Sequence, residues 1–323
     1  MDELTLIAKH LAPLATHPAA RKLEDDLAVL KNRGPLAITT DTIVEGVHFH
    51  SGDPIEGVAK KALRVNFSDL IAKGADPLGV FVNLSWPQAR KGDEVLGFVR
   101  GLKEDLDFYR CALMGGDTTS SPGPLTISVT ALGRPHRMRT PSRADAKAGE
   151  DLWVTGVIGD GHLGLRAAKG ELDALSQRDR DSLIAHYRTP TPPFAFALSI
   201  ARLARASMDV SDGLLIDARR MAEASGVSLR IEAASVPHSA AAQRWLETSD
   251  AYQLKLLAGG DDYEALFTAP PEKRAAIRRA ASRARVAVTK IGSVGEGAGL
   301  SLVDSHGATL PIGEFGYAHR IGK

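Results

Sequence analysis

The residues of this chain best suited to chemistry are aspartates in apolar or small-residue surroundings. They stand at Asp25-Asp26 before Leu27-Ala-Val-Leu30, at Asp41 after Ile38-Thr-Thr40, at Asp69 after Asn66-Phe-Ser68 and at Asp117 after Gly115-Gly116. Further along come Asp209 and Asp212 in Met208-Asp-Val-Ser-Asp-Gly213, and Asp261-Asp262 after Gly259-Gly260. A carboxylate taken out of water is costly unless it is paired or binds a metal. Lys and Arg are scarce inside these segments, so ion pairing is not the obvious compensation. Hard oxygen donors interleaved with Thr and Ser hydroxyls suit Mg²⁺ rather than zinc or copper. Several Mg²⁺ ions gathered by carboxylates usually accompany a polyphosphate, whose oxygens the metals bridge.

Each position also has an ordinary explanation. Asp25 or Asp26 reads equally as a turn residue, and Asp41 as the polar end of a strand. Asn66 and Asp69, at i and i+3, present two oxygen donors on one helix face, or simply a solvated face. Asp117 fits an ordinary turn, although the two glycines before it would also let the backbone approach a phosphate closely. Asp209 and Asp212 both fit an N-cap, since Ser211 and Asp212 precede a helical pattern. Taken together, the sites favour a metal–phosphate centre.

No Walker-type phosphate loop is present. The string Gly159-Asp-Gly161-His-Leu-Gly164 has the form of a dinucleotide fingerprint between a strand and a helix, and Asp181 follows about twenty residues on. No clear second strand ends at Asp181, and in a chain with 31 glycines a glycine-rich strand-to-helix turn is the better account.

The elements that must position these residues alternate between strand and helix patterns, which indicates an α/β (α+β) class. Leu4, Ile7 and Leu11 predict an amphipathic opening helix. Strands are predicted at 36–41, 79–85, 124–132, 151–156, 227–231 and 286–294. Helices are predicted at 54–73, 93–109, 160–169, 179–187, 194–205, 212–225 and 272–285. A basic, proline-bearing stretch from Arg134 to Arg143 reads as a crossover, which places a boundary near 137–148 and divides the chain into domains at 1–140 and 141–323. The basic run from Arg274 to Arg285 reads as a solvated helix face.

With 323 residues, 44% apolar and 24% charged, the chain is long enough for two cored domains and too apolar for disorder. Lys plus Arg (40) balance Asp plus Glu (39), so the field that draws a protein to nucleic acid is absent. One cysteine, Cys111, makes neither an internal disulfide nor a thiolate zinc site, which suits a reducing compartment. No apolar run is long enough to cross a bilayer and no export signal is visible, so no membrane partner and a cytoplasmic location are expected.

At the acidic residues the chain resembles the thiamine-monophosphate kinase family. The resemblance is carried by Asp25-Asp-Leu-Ala-Val-Leu30, Thr39-Thr-Asp-Thr-Ile-Val-Glu-Gly-Val-His-Phe49 and Lys61-Ala-Leu-Arg-Val-Asn-Phe-Ser-Asp-Leu70. It continues through Gly115-Gly-Asp-Thr-Thr119, Ser128-Val-Thr-Ala-Leu-Gly133, Ser207-Met-Asp-Val-Ser-Asp-Gly-Leu214 and Gly259-Gly-Asp-Asp-Tyr-Glu264. The Glu-Gly-Val-His-Phe and Ser-Met-Asp-x-Ser-Asp-Gly strings separate this family from aminoimidazole ribonucleotide synthetase and selenophosphate synthetase.

The resemblance implies a two-domain aminoimidazole ribonucleotide synthetase-like fold: an N-terminal domain that binds ATP and Mg²⁺ and whose sheet pairs with its twin in a homodimer, then a C-terminal α/β domain. It implies direct in-line transfer of the γ-phosphoryl group of ATP to thiamine monophosphate, with several Mg²⁺ ions and no covalent or general-base residue. Carried over by position, the metal ligands are Asp26, Thr39, Thr40, Asp41, Asp69, Asp117, Asp209 and Asp212. The ATP contacts are Gly116, Asp117, Arg143 and Ser211, and the substrate contacts are His48, Asp261 and Tyr317. On residue type alone His48 reads equally as a structural histidine, and Tyr317 as core packing. The chain departs from the family pattern in having Glu24 where Gly usually precedes the paired acids, and Asp261 where the family has Glu. Its crossover keeps only Arg143 of the family's string, and Val99 replaces an aromatic that some members place near the nucleotide. Two other readings stay open: an ATP-dependent synthetase of the same superfamily, and a non-catalytic nucleotide-binding protein.

Overall fold

The chain divides into two units, Met1–Leu70 with Ala75–Met138 and Ile71–Gly74 with Arg139–Lys323. The structure, a computed structural model, describes residues 3–24, 27–248 and 253–313. Asp26 and Tyr317 therefore lie outside the described residues.

The first unit opens with α1 (Glu3–Leu6), which passes into a wider π-turn at Ile7–Leu11 and a tighter 3₁₀ turn at Ala12–Leu14. One continuous amphipathic helix is expected from the sequence. Pro13 prevents it, because it has no N–H to give and its ring clashes with the carbonyl four residues back. The unit continues with β1 (Ala37–Val44), α2 (Ile55–Ala72), β2 (Ala75–Pro87), α3 (Glu94–Tyr109), β3 (Ala112–Ser121) and β4 (Thr126–Pro135). The four strands pair in the order β1-β4-β2-β3, with β2 and β3 parallel and the other pairs antiparallel. On β4 the alternation is clean: Ile127, Val129 and Ala131 are fully buried, while Thr126, Ser128 and Thr130 face the other way. Pro54 stands immediately before α2, and Gly74 follows its end with φ +68. The two helices are tied by a bidentate pair, Arg64 Nε to Asp105 Oδ2 at 2.6 Å and Nη2 to Oδ1 at 2.8 Å.

The second unit begins with β5 (Asp151–Thr155), α4 (Asp160–Ala168), α5 (Gln177–Arg188), α6 (Ala197–Leu203), β6 (Ser207–Val210), α7 (Leu214–Ser225) and β7 (Ser228–Glu232). After these come α8 (Ala240–Thr248), α9 (Gln253–Ala258), β8 (Glu264–Ala269), α10 (Arg274–Ala284), β9 (Val288–Gly295), β10 (Gly299–Val303) and β11 (Thr309–Leu310). Its seven-stranded mixed sheet runs β11-β10-β7-β9-β5-β8-β6. Every residue of β5, β6 and β8 is buried. Burial on both faces removes the polar–apolar alternation that exposes a strand to sequence reading, and β6 and β8 have no counterpart among the expected strands. Among the described residues no helix is long and apolar enough to cross a membrane.

Candidate active site

In the first unit, β1 and α2 bring four of the expected oxygen donors together. Thr39 Oγ1 donates to Asp69 Oδ2 at 2.5 Å, and the Asp41 N–H donates to Asn66 Oδ1 at 3.0 Å. Asn66 is fully buried, and its Nδ2 donates to the Ala62 carbonyl at 3.0 Å, which fixes the amide with its oxygen toward β1. The i, i+3 pair on α2 therefore faces the strand and is not a solvated helix face. Asp41 does not end its strand, since β1 runs three residues further. Strand alternation places Thr39 and Asp41 on one face and Thr40 on the other. The Thr40 hydroxyl bonds to the Val129 carbonyl at 3.1 Å and meets Thr130 Oγ1 at 3.2 Å. Any oxygen Thr40 offers to a metal beside Asp41 must be its carbonyl.

Asp117 lies elsewhere. It is inside β3, not in a turn, and β3 is the sheet edge opposite β1. The register runs Asp41–Val129–Val82–Gly116 across the sheet, so three strand spacings, roughly 14 Å, separate Asp41 from the Gly116-Asp117 pair. Gly116 is obligatory: with φ +151, a Cβ there would stand 1.9 Å from the Val82 carbonyl oxygen. Beside this glycine pair a cavity of about 510 Å³ is lined by Val95, Phe98, Val99, Leu113, Gly116 and Asp117, among others. Its walls combine apolar side chains with the polar Asn83, Asp117 and Thr118, the mixture expected of a site for a partly apolar ligand.

His48 closes the turn after β1. Its Nδ1 accepts the Val44 N–H at 3.0 Å, and its carbonyl accepts from the buried Lys61 Nζ at 2.9 Å. The ring thus has a structural role through Nδ1, and a substrate contact would fall to Nε2.

In the second unit the donors cluster where β6 leads into α7. Asp209 is inside β6 and buried, so it is not an N-cap residue. Asp212 is paired with Arg220 Nη1 at 2.5 Å, and the same guanidinium nitrogen reaches Asp217 Oδ1 at 2.9 Å. Asp217 Oδ2 in turn accepts the Ser211 and Asp212 N–H groups, both at 3.1 Å. Burial, then the nearby Asp212 charge, raise Asp217 to about 6 against the pull of Arg220. Sequence reading missed Asp217 and Arg220; the signal was their i, i+3 spacing in the first turns of a helix that follows an acidic loop.

The segment 259–263 packs on this loop. The Asp261 N–H donates to the Ser211 carbonyl and the Tyr263 N–H to the Val210 carbonyl, both at 2.8 Å, and Tyr263 Oη donates to Asp261 Oδ1 at 3.1 Å. Asp261 has φ +69, a left-handed conformation that Asp tolerates because its short side chain bonds locally. This gives a physical reason for Asp where a longer acid is the family pattern. The neighbouring Asp262 is a structural group: its carboxylate takes the N–H groups of Gly159 and Gly161. These are the amides that a dinucleotide fingerprint would turn toward a phosphate. Arg143 is exposed, and its carbonyl accepts from Ser225 Oγ at 2.8 Å.

Among the described residues no group of three or more His, Cys, Asp or Glu is close enough to form a metal site by itself. The donors are instead small oxygen sets, Thr39, Asp41 and Asp69 in one unit and Asp209 and Asp212 in the other. This fits Mg²⁺, which keeps several waters and binds through one or two carboxylates plus substrate phosphates.

Residues 24–134 match the AIR synthase related protein, N-terminal domain, and residues 147–305 the AIR synthase related protein, C-terminal domain. The chain is 41% identical to the thiamine-monophosphate kinase of Caulobacter vibrioides over 93% of its own length and 86% of that protein. The crystal structure of thiamine-monophosphate kinase from Stenotrophomonas maltophilia K279a superposes with a TM-score of 0.79 at 37% identity, covering 87% of this chain and 89% of that one. A structure of AaThiL complexed with AMPPCP and TMP superposes with a TM-score of 0.80 at 31% identity, covering 98% and 94%.

Proposed function

The chain belongs to the thiamine-monophosphate kinase family, and on that premise we propose that it transfers the γ-phosphoryl group of ATP to thiamine monophosphate, giving thiamine diphosphate. The observation that carries this reading is that one sheet offers a small hard-oxygen set at its β1 edge and, at its β3 edge, a cavity of about 510 Å³ beside Gly116-Asp117. That combination suits a Mg²⁺-bound nucleoside triphosphate better than a free metal or an apolar ligand.

In this reading the cavity beside Gly116 takes the nucleobase, with Val99 in its wall. Arg143 and the Ser211 loop contact the nucleotide. Asp41, Asp69, Asp117 and the Thr39 and Thr40 oxygens would hold Mg²⁺ for the triphosphate, and Asp26, Asp209 and Asp212 would hold Mg²⁺ for the acceptor. The chemistry Mg²⁺ would supply there is neutralisation of the charge on the transferring group. Asp212, paired with Arg220, would be available to Mg²⁺ only when released from that guanidinium. His48 Nε2, Asp261 and Tyr317 orient thiamine monophosphate. The acceptor oxygen already belongs to a phosphate ionised near neutral pH, so no general base is assigned; positioning and charge neutralisation do the work. We further propose a homodimer as the active form, formed through the N-terminal domain (1–140). The opposite-edge placement of Asp41 and Asp117 supports it, since two copies related by symmetry can set the β1 edge of one against the β3 edge of its partner. The reaction is placed in the cytoplasm, with no nucleic-acid or membrane partner.

The test is ADP release with Mg²⁺ and ATP, using thiamine monophosphate or formylglycinamidine ribonucleotide as acceptor. Turnover with the first alone supports the kinase. Turnover with the second identifies a synthetase of the superfamily, and tight ATP binding with neither acceptor turned over identifies a nucleotide-binding protein.

A further inference from the structure

We propose that Asp262, which needs no contact with substrate, is a positioning residue that holds Asp261 ready for the phosphoryl acceptor; this rests on the reading of Asp261 as an acceptor contact. The Asp262 carboxylate is buried and takes the first free amides of α4. The Gly159 N–H donates to Oδ1 at 3.0 Å and to Oδ2 at 2.9 Å, and the Gly161 N–H donates to Oδ1 at 3.0 Å. An anion is favoured at a helix N-terminus because those amides have no partner within the helix. Here the chain's own carboxyl takes them; burial pushes Asp262 well above the ordinary carboxylate range, and the Gly161 and Gly159 N–H groups pull it back.

The residues on both sides of this anchor are in left-handed backbone, Asp261 at φ +69 and Tyr263 at φ +54. Such conformations persist in non-glycine residues only where the surroundings over-determine them. Three ties do so: Asp262 to α4, the Asp261 N–H to Ser211 and the Tyr263 N–H to Val210. The fit is close on both sides. A Cβ on Gly161 would stand 2.3 Å from the Asp261 carbonyl oxygen, and one on Gly260 would stand 2.4 Å from the Ser211 carbonyl oxygen. Segment 259–263 is therefore clamped between the α4 N-terminus and the β6–α7 loop. Without its central anchor, the left-handed pair relaxes and carries the Asp261 carboxylate away from its set direction. The nucleotide cavity beside Gly116 is built from other residues.

The test is steady-state kinetics of Asp262→Asn, Asp262→Ala, Asp261→Ala and the Asp261→Ala/Asp262→Asn double variant, with folding followed by circular dichroism. In Asp262→Asn the amide oxygen still accepts from both glycines, but its NH₂ replaces the oxygen facing the Gly159 N–H. We expect KM for thiamine monophosphate to rise about tenfold in Asp262→Asn and further in Asp262→Ala, with KM for ATP within about twofold of the parent. The double variant should be no worse than Asp261→Ala alone, because Asp262 acts through Asp261. Independent, additive losses in the double variant, equal rises in both KM values, or an unchanged KM for the acceptor in folded Asp262→Asn would each overturn the proposal. Should Asp262→Ala not fold, Asp262→Asn carries the test. Should the parent show no turnover with thiamine monophosphate, the functional reading has failed, and amide hydrogen exchange decides the positioning role. Faster exchange at 259–263 in Asp262→Asn, with β5 and β9 unchanged, supports it; unchanged exchange at 259–263 overturns it.

Discussion

Glu264 opens β8 with its carboxyl buried against β5, and replacing it with Gln reports the cost of a charge in that place. Thr155 Oγ1 accepts the Ala265 N–H at 2.8 Å, so the hydroxyl proton is left to donate to Glu264 Oε2. Below the carboxyl lies Gly156 at φ +56, where a Cβ would stand 1.7 Å from Oε1, so the side chain has no room to move away. Burial pushes Glu264 from 4.5 up to about 8; the bonds from Thr155 and Val157 oppose this, and the Asp160 charge adds to it. Raising a carboxyl over that range corresponds to about 5 kcal/mol between its two protonation states. The folded chain keeps the proton where the unfolded chain has lost it, so stability falls as pH rises from 4.5 to about 8 and levels off above. Gln keeps an acceptor for Thr155 and cannot ionise. Glu264→Gln should therefore match the parent near about pH 5 and gain on it with rising pH, by up to about 5 kcal/mol at about pH 9. Urea denaturation of both proteins between those limits measures the difference. A stability difference that does not change with pH would refute the argument, since it would mean that the parent carboxyl ionises without penalty.

Asp41→Asn and Asp209→Asn should each lower turnover by orders of magnitude in folded protein, whereas Thr40→Val, which alters the opposite face of β1, should stay within a few-fold. Coupled ADP-release assays decide it, and near-normal turnover in both Asn variants would remove the metal assignment. Gly116→Ala should weaken ATP binding by at least about tenfold in titration calorimetry, because its Cβ cannot share space with the Val82 carbonyl unless the β2–β3 pairing opens. Asp105→Ala should cost about 2–3 kcal/mol in denaturant unfolding, because the half-buried Arg64 would lose its bidentate carboxylate. A loss below about 1 kcal/mol would show that water reaches the guanidinium.

The elements legible in advance were those whose pattern is local. The α2 and α3 helices show 3.6-residue periodicity with a proline before one and glycine or a left-handed residue at the ends, and β4 alternates because one of its faces is less buried. The same local chemistry marked Asp41, Asp69, Asp209 and Asp212 as costly carboxylates and Mg²⁺ as the ion to suit them. Strands buried on both faces, β6 and β8, carry no such alternation and emerged only from pairing across more than fifty residues of chain. What tertiary structure decided was which of these groups meet. It set Asn66 and Asp69 against β1, turned the Thr40 hydroxyl to the other face, and put Asp117 three strands from Asp41. It also gave Asp212 a guanidinium partner eight residues on, and used Asp262 to fill the amides that a dinucleotide fingerprint would turn toward a phosphate. Residue type determines what a group can bind. Its neighbours are decided by strand order and register, which depend on packing between distant segments that no local pattern records.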